Sequence, residues 1–299
     1  MNPHYPFKSE AAREQYLARH AERSKTWPEP NSGRMVATAL GETFVRTSGR
    51  EDGPPLVVLP GVGSASYTME PQARGLGKDF RVYAVDNIYD VGRSVSTRAL
   101  TGPDDFAAWL DSLFDALGLQ KPHVLGLSYG GWVFAQYALR RPERVEKLVL
   151  LAPAGTVAPI NSAFIWRAVL TLVNKRLFMP QFCRWAAPYM STRPEFAEQF
   201  AHLMEDATLA QRCFAPRRLV PPLPLSDEEL GRIAVPTLFL CGDKEVIFEP
   251  HAALERLARV APRIRTGLLE GASHDFTWVR ADEVNRRVLE FLSGAETGP

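Results

Sequence analysis

Six short, largely apolar runs recur along this chain, at residues 56–59, 81–85, 123–127, 148–151, 237–241 and 264–269. Such strand-sized runs suit a sheet covered on both faces, because a strand with one wet face alternates apolar with polar residues. Helix-like stretches at 104–117, 129–140, 251–260 and 282–292 separate most of them. Strand and helix in alternation predict a mostly parallel α/β sheet. Right-handed crossovers then send the functional loops to the carboxyl ends of the strands.

Two β-like runs at 34–39 and 43–47, with Gly41 as the turn residue, add an antiparallel hairpin and bring the expected sheet to eight strands. Before them, 9–24 reads as a helix with Tyr16 and Leu17 as anchors, ended by Trp27-Pro28-Glu29-Pro30. Between 153 and 234 no convincing parallel strand occurs; helix-like pieces at 163–172, 182–189 and 195–205 precede a proline-rich exit at 220–224. The expected organisation is a core of residues 1–152 and 235–299, with 1–30 an N-terminal extension, and a helical cap over 153–234.

Composition narrows the function. The 299 residues are 45% apolar and 23% charged, ordinary for a folded chain, and 35 Lys and Arg against 34 Asp and Glu leave a net charge of +1. That balance gives no overall basic field for nucleic acid. Cys183, Cys213 and Cys241 are too few and too scattered for a disulfide framework or a structural zinc site, and the serine chemistry read from the motifs below calls for neither metal nor cofactor. The first 25 residues lack the apolar stretch of a secretory signal, and no run approaches the roughly 20 apolar residues of a membrane span. A cytoplasmic protein is expected.

Gly126-Leu127-Ser128-Tyr129-Gly130-Gly131 follows one expected strand and opens an expected helix. G-x-S-x-G in that context is a nucleophile elbow: the serine stands on a sharp turn, and residues two before and two after must be tiny for the chain to fold back. A serine hydroxyl needs a base, and in this arrangement the chain order is Ser, then Asp or Glu, then His. Of the histidines at 4, 20, 123, 202, 251 and 274, only His274, in Gly271-Ala272-Ser273-His274, follows the last expected strand. The acid belongs after the strand at 237–241, where Asp243 and Glu245 are both candidates. The usual G-x-x-D spacing selects Glu245 and leaves Asp243 to tie the turn through backbone N–H groups. The oxyanion donors by position are the N–H groups of Tyr129, after the nucleophile, and Val62, in Pro60-Gly61-Val62-Gly63-Ser64.

With these residues placed, the chain resembles the α/β-hydrolase superfamily over nearly its whole length, and most of all the bacterial carboxylesterases of the naproxen-esterase type. The stretches that carry the resemblance are Tyr83-Ala84-Val85-Asp86, the elbow, Pro142-Glu143-Arg144-Val145, and Glu245-Val246-Ile247 with Pro250-His251. The resemblance implies a glutamate as triad acid, carried onto Glu245, and a small-molecule carboxylic ester as substrate. Pro60 stands where relatives have His, and the cap has no residue-by-residue match. The same triad also serves thioester, lactone, amide, carbon–carbon and perhydrolysis chemistry, and a non-catalytic binding role on this scaffold is the other class of reading.

Other residues read as structural. Asp86 is expected to hold loops, Cys241 to sit in the core, Trp278 to anchor the histidine loop and Arg140-Arg141 to end a helix in solvent. Phe164, Trp166, Phe178, Phe182, Trp185 and Tyr189 are expected either to wall a pocket or to pack the cap.

The choice of acid is testable. Glu245→Gln is expected to lower kcat by about 10⁴-fold, with Asp243→Asn far milder. The reverse pattern in steady-state kinetics would make Asp243 the acid.

Overall fold

The computed structural model describes residues 5–294; the extreme ends of the expected extension and core, residues 1–4 (with His4) and 295–299, lie outside the described residues. Helix α1 (Glu10–Arg23) opens the chain, capped by the Ser9 side chain, which accepts from the Ala12 N–H at 3.1 Å. Strands β1 (Asn31–Thr38) and β2 (Gly41–Gly49) form the antiparallel hairpin. Then come β3 (Pro55–Leu59), α2 (Glu70–Leu76), β4 (Arg81–Val85), the two-residue β5 (Val95–Ser96), α3 (Pro103–Leu117), β6 (His123–Leu127), α4 (Tyr129–Arg140) and β7 (Leu148–Leu151).

Four helices, α5 (Ser162–Val173), α6 (Lys175–Ala186), α7 (Pro188–Thr192) and α8 (Ala197–Cys213), occupy the stretch before α9 (Asp227–Gly231). The chain ends through β8 (Thr237–Gly242), α10 (Pro250–Val260), β9 (Arg265–Leu269), α11 (Phe276–Val279) and α12 (Ala281–Ser293).

The sheet runs β1-β2-β4-β3-β6-β7-β8-β9, parallel from β4 to β9, with β5 paired to β2. It therefore has one strand more than the eight expected; two residues are too short a run to show in the sequence. Central strands β7 and β8 are buried at every position, whereas the outer strands β1 and β9 are mostly exposed or half-buried. Apolar runs thus occupy the middle and polar residues blunt the edges. Successive strands proceed outward from β3 in one direction and from β6 in the other. The crevice at the carboxyl ends of β3 and β6 is the switch point of the topology, where open α/β sheets bind ligands.

Helix α3 packs on the hairpin side of the sheet and is tied to it by a buried hydrogen bond. Its Trp109 is fully buried, and the indole Nε1 donates to Thr43 Oγ1 on β2 at 2.8 Å. The N-terminal extension does not stand apart. Phe7 bridges to Phe214 after α8, their rings 4.5 Å apart, and Tyr16 meets Phe214 edge-on at 4.7 Å. Arg19 and Arg23 both donate to Asp206 of α8, at 2.8 and 3.1 Å. Phe7 and helix α1 therefore pack on α8 and the residue that follows it. Among the described residues no helix is long and apolar enough to cross a membrane.

Trp109→Phe keeps most of the apolar bulk but leaves the buried Thr43 hydroxyl without its donor. A loss of about 1–3 kcal/mol is expected, read as a lower urea midpoint at unchanged slope.

Candidate active site

The turn from β6 to α4 leaves no room for side chains around it. A Cβ on Gly126 would lie 2.4 Å from the Gly130 carbonyl, and one on Gly130 would lie 2.5 Å from the Leu59 carbonyl oxygen of the neighbouring strand. Between them Ser128 sits at φ 52°, ψ −115°, a conformation that L-residues rarely adopt. Tertiary hydrogen bonds hold it there. Its N–H donates to Leu151 at 2.8 Å, and its carbonyl accepts from Trp132 and Ala154, both at 3.1 Å. The side chain faces the crevice at the switch point and lines the same cavity as His274.

The loops after β8 and β9 are stitched together. Asp243 N–H donates to Leu269, Lys244 N–H to Ala272, and the Ala272 N–H returns to Asp243 Oδ1 at 3.1 Å. Asp243 therefore spends its carboxylate on the loop. Glu245, fully buried in its side chain, is the carboxylate that reaches the histidine: Oε2 lies 3.0 Å from His274 Nδ1. Its other oxygen accepts from the N–H groups of Val246 and Ile247 at 2.8 and 2.9 Å. Both oxygens are thus occupied and the carboxylate cannot swing away.

Burial pushes the His274 pKa down, but the Glu245 charge, its hydrogen bond and the nearby Asp275 outweigh it, and the net direction is upward from 6.5. A raised value keeps the imidazole protonated to higher pH. The ion pair is correspondingly fully formed below the unfolded value and lost as pH rises through the folded one.

Val62 follows β3 and lines the cavity beside Ser128. Tyr129 is the first residue of α4, so its N–H has no acceptor within the helix. Its side chain points elsewhere: the hydroxyl donates to the Val220 carbonyl at 2.8 Å and the ring stacks on Trp132. The loop carrying Val62 is held by Asp90, whose Oδ2 accepts from Gly63 N–H at 2.9 Å. Burial pushes the Asp90 carboxyl up to about 6, against the N–H donors of Gly63 and Val91 and the Arg217 cation.

Asp86 acts on loops as expected, accepting from the Ser66 and Arg93 N–H groups at 2.7 Å each. The buried His20 of α1 approaches it at 3.4 Å.

The cavity, about 220 Å³, lies between the loops at the strand ends and helices α5–α8. Its apolar walls include Phe164, Phe182, Met190, Leu203, Ile247 and Trp278; Arg23 and Asp206 supply a polar end. Of the six cap aromatics, only Phe164 and Phe182 line it. Trp166 is half exposed, and Trp185 packs on Phe164 and Phe182 from behind. Trp278 is both loop anchor and cavity wall, packing on the cap's apolar cluster.

Three cavity-associated residues escape a sequence reading: Asp90, Arg23 and Asp275. The last accepts from Met190 N–H at 2.8 Å and so ties the histidine loop to α7. All three act through contacts distant in sequence, and no local motif marks them. Among the described residues no group of three or more His, Cys, Asp or Glu is placed to hold a metal ion. The three cysteines are buried and unpaired; burial pushes the Cys183 thiol up to about 11.

A family model described as "Alpha/beta hydrolase family" matches residues 56–287. The Bacillus subtilis (strain 168) protein named "Uncharacterized carboxylesterase nap" is 34% identical over 287 residues, 95% of this chain and 93% of its own length. "Carboxylesterase YbfK" of the same organism is 31% identical over 269 residues, 90% of each chain. The crystal structure of naproxen esterase (carboxylesterase NP) from Bacillus subtilis superposes with a TM-score of 0.84 at 33% identity, over 94% of this chain and 98% of that one.

The pH profile tests the electrostatics. The acid limb of kcat/KM is expected to have its midpoint above about 6.5. A midpoint at or below that value would mean that burial outweighs the Glu245 charge.

Proposed function

This chain belongs to the α/β-hydrolase family, and on that footing we propose that it cleaves small carboxylic esters with Ser128 as nucleophile, His274 as base and Glu245 as the acid that orients it. One observation carries the reading: Glu245 binds His274 through Nδ1 while its second oxygen is locked by two backbone N–H groups. A proton fixed on Nδ1 leaves Nε2 as the basic nitrogen.

Ser128 Oγ attacks the ester carbonyl as its proton passes to His274 Nε2. The imidazolium is stabilised by Glu245, and the tetrahedral oxyanion accepts from the N–H groups of Val62 and Tyr129. Collapse expels the alcohol, which takes the proton from His274, and leaves the acyl group on Ser128. Water, deprotonated by His274, then attacks the acyl-enzyme, and Ser128 regains its proton as the acid departs. Every proton is accounted for by the imidazole, so the cycle needs no cofactor.

The naming of both Bacillus relatives as carboxylesterases supports the ester as substrate. The largely apolar cavity supports a compact apolar acyl or alcohol group. Residues 153–234 serve as the cap unit that shapes this cavity. Three buried, unpaired cysteines suit a reducing compartment such as the cytoplasm.

Purified protein is expected to turn over short- and medium-chain p-nitrophenyl esters, and Ser128→Ala to lose at least about 10³-fold in kcat. Equal turnover in the two proteins would remove Ser128 from the mechanism. Turnover of thioesters or lactones but not esters would keep the triad and change the bond.

A further inference from the structure

Helix α5 carries an apolar stripe that the fold leaves uncovered. Ile165, Trp166, Val169, Leu172 and Val173 are half exposed or more, reaching 71% at Leu172 and 75% at Val173, and Leu177 on α6 continues the stripe. Positions 165, 169, 172 and 173 follow the spacing of one helix face. Scattered exposed apolar residues are normal on a protein surface, but a continuous stripe marks an interaction site. The other side of the helix is already committed: Phe164 lines the cavity and meets Phe182 edge-on at 5.4 Å, and Thr171 is buried.

The segment that carries this stripe has charge of one sign. Residues 152–194 contain Arg167, Lys175, Arg176, Arg184 and Arg193 and no Asp or Glu, although the whole chain carries only +1. The rest of the chain is therefore net acidic, and the cap bears a local excess that the overall balance hides. Arg176 and Arg184 are exposed. Among the described residues, no carboxylate forms an ion pair with Arg167, Arg176, Arg184 or Arg193. Arg167 lies over the rings of Trp166 and Trp185, 4.5 and 4.6 Å from their centroids, which holds a cation beside the exposed indole.

We propose that α5 and α6 form a docking face for an anionic lipid bilayer. Exposed aliphatic residues with a tryptophan, flanked by unpaired cations, match the composition of helices that lie in the bilayer interface. The apolar stripe enters the acyl boundary while the cations meet the phosphate groups. A second copy of the chain is the competing occupant, and charge disfavours it: a two-fold interface sets the cationic patch against itself. The docked helix also supplies Phe164 to the cavity, so the lipid-facing element is one wall of the catalytic chamber.

The test is co-sedimentation of the full chain with vesicles of phosphatidylcholine alone and with about one-third phosphatidylglycerol. Two double variants accompany it, Leu172→Glu with Val173→Glu, and Arg176→Glu with Arg184→Glu. All four positions are exposed and outside the cavity, so turnover of a dissolved p-nitrophenyl ester is expected to stay near that of the parent and to report correct folding.

The parent is expected to bind the anionic vesicles about tenfold or more tightly than the neutral ones, and less tightly as salt is added. Each double variant is expected to lose that preference. Failure to bind either vesicle, equal binding to both, or variants that bind like the parent would overturn the proposal. A dimer in sedimentation equilibrium that Leu172→Glu with Val173→Glu dissolves, without vesicle binding by the parent, would assign the face to a second copy and overturn it equally.

Discussion

Holding Ser128 at φ 52° is a steric problem before it is a chemical one. The conformation costs of order 1–3 kcal/mol and persists only where surrounding structure over-determines it. Here the constraint comes from three directions. Strand β7 accepts the serine N–H, α4 and the segment after β7 donate to its carbonyl, and β3 runs so close that Gly130 tolerates no Cβ. Strand β7 is buried at every position, and β3 and α4 are buried over most of their length.

A second rigid body forms at the ends of β8 and β9. Asp243 and Glu245 stand two residues apart yet do different work, because their partners differ. Asp243 spends its carboxylate on a backbone N–H of the opposite loop, whereas Glu245 keeps one oxygen for the imidazole. The backbone pairing between these loops fixes the distance that the Glu245 side chain must span. The extra methylene of glutamate is absorbed by the Val246 and Ile247 N–H groups, which clamp the far oxygen. Asp275 extends this body to α7 through Met190, so the histidine loop is tied both to the sheet and to the helices between β7 and β8.

Much of this is legible in the sequence because it rests on local pattern. Central strands reveal themselves by apolar content, and the elbow reveals itself because its glycines are required sterically. Elements that escape the sequence lack such marks. Helix α2 spans seven residues and β5 two, too short for any periodicity to show. Helix-like pattern begins only after Pro180, yet α6 runs through that residue from Lys175 to Ala186. Pro180 sits inside the helix and removes the bond to the carbonyl four residues earlier, so the burial of Met179 and Cys183 on either side of it, which local pattern does not show, carries the helix across. Asp90 and Arg23 are invisible for a different reason. Their roles exist only once residues far apart in the chain are brought together.

Helix α1 lies wholly before the segment that matches the family model, yet its Arg23 reaches the cavity and its His20 approaches the carboxylate that holds Ser66. Ser128, Glu245 and His274 and part of the wall around them thus come from separate stretches of the chain. A change in α1 can reshape the volume beside these three side chains while leaving every contact among them in place.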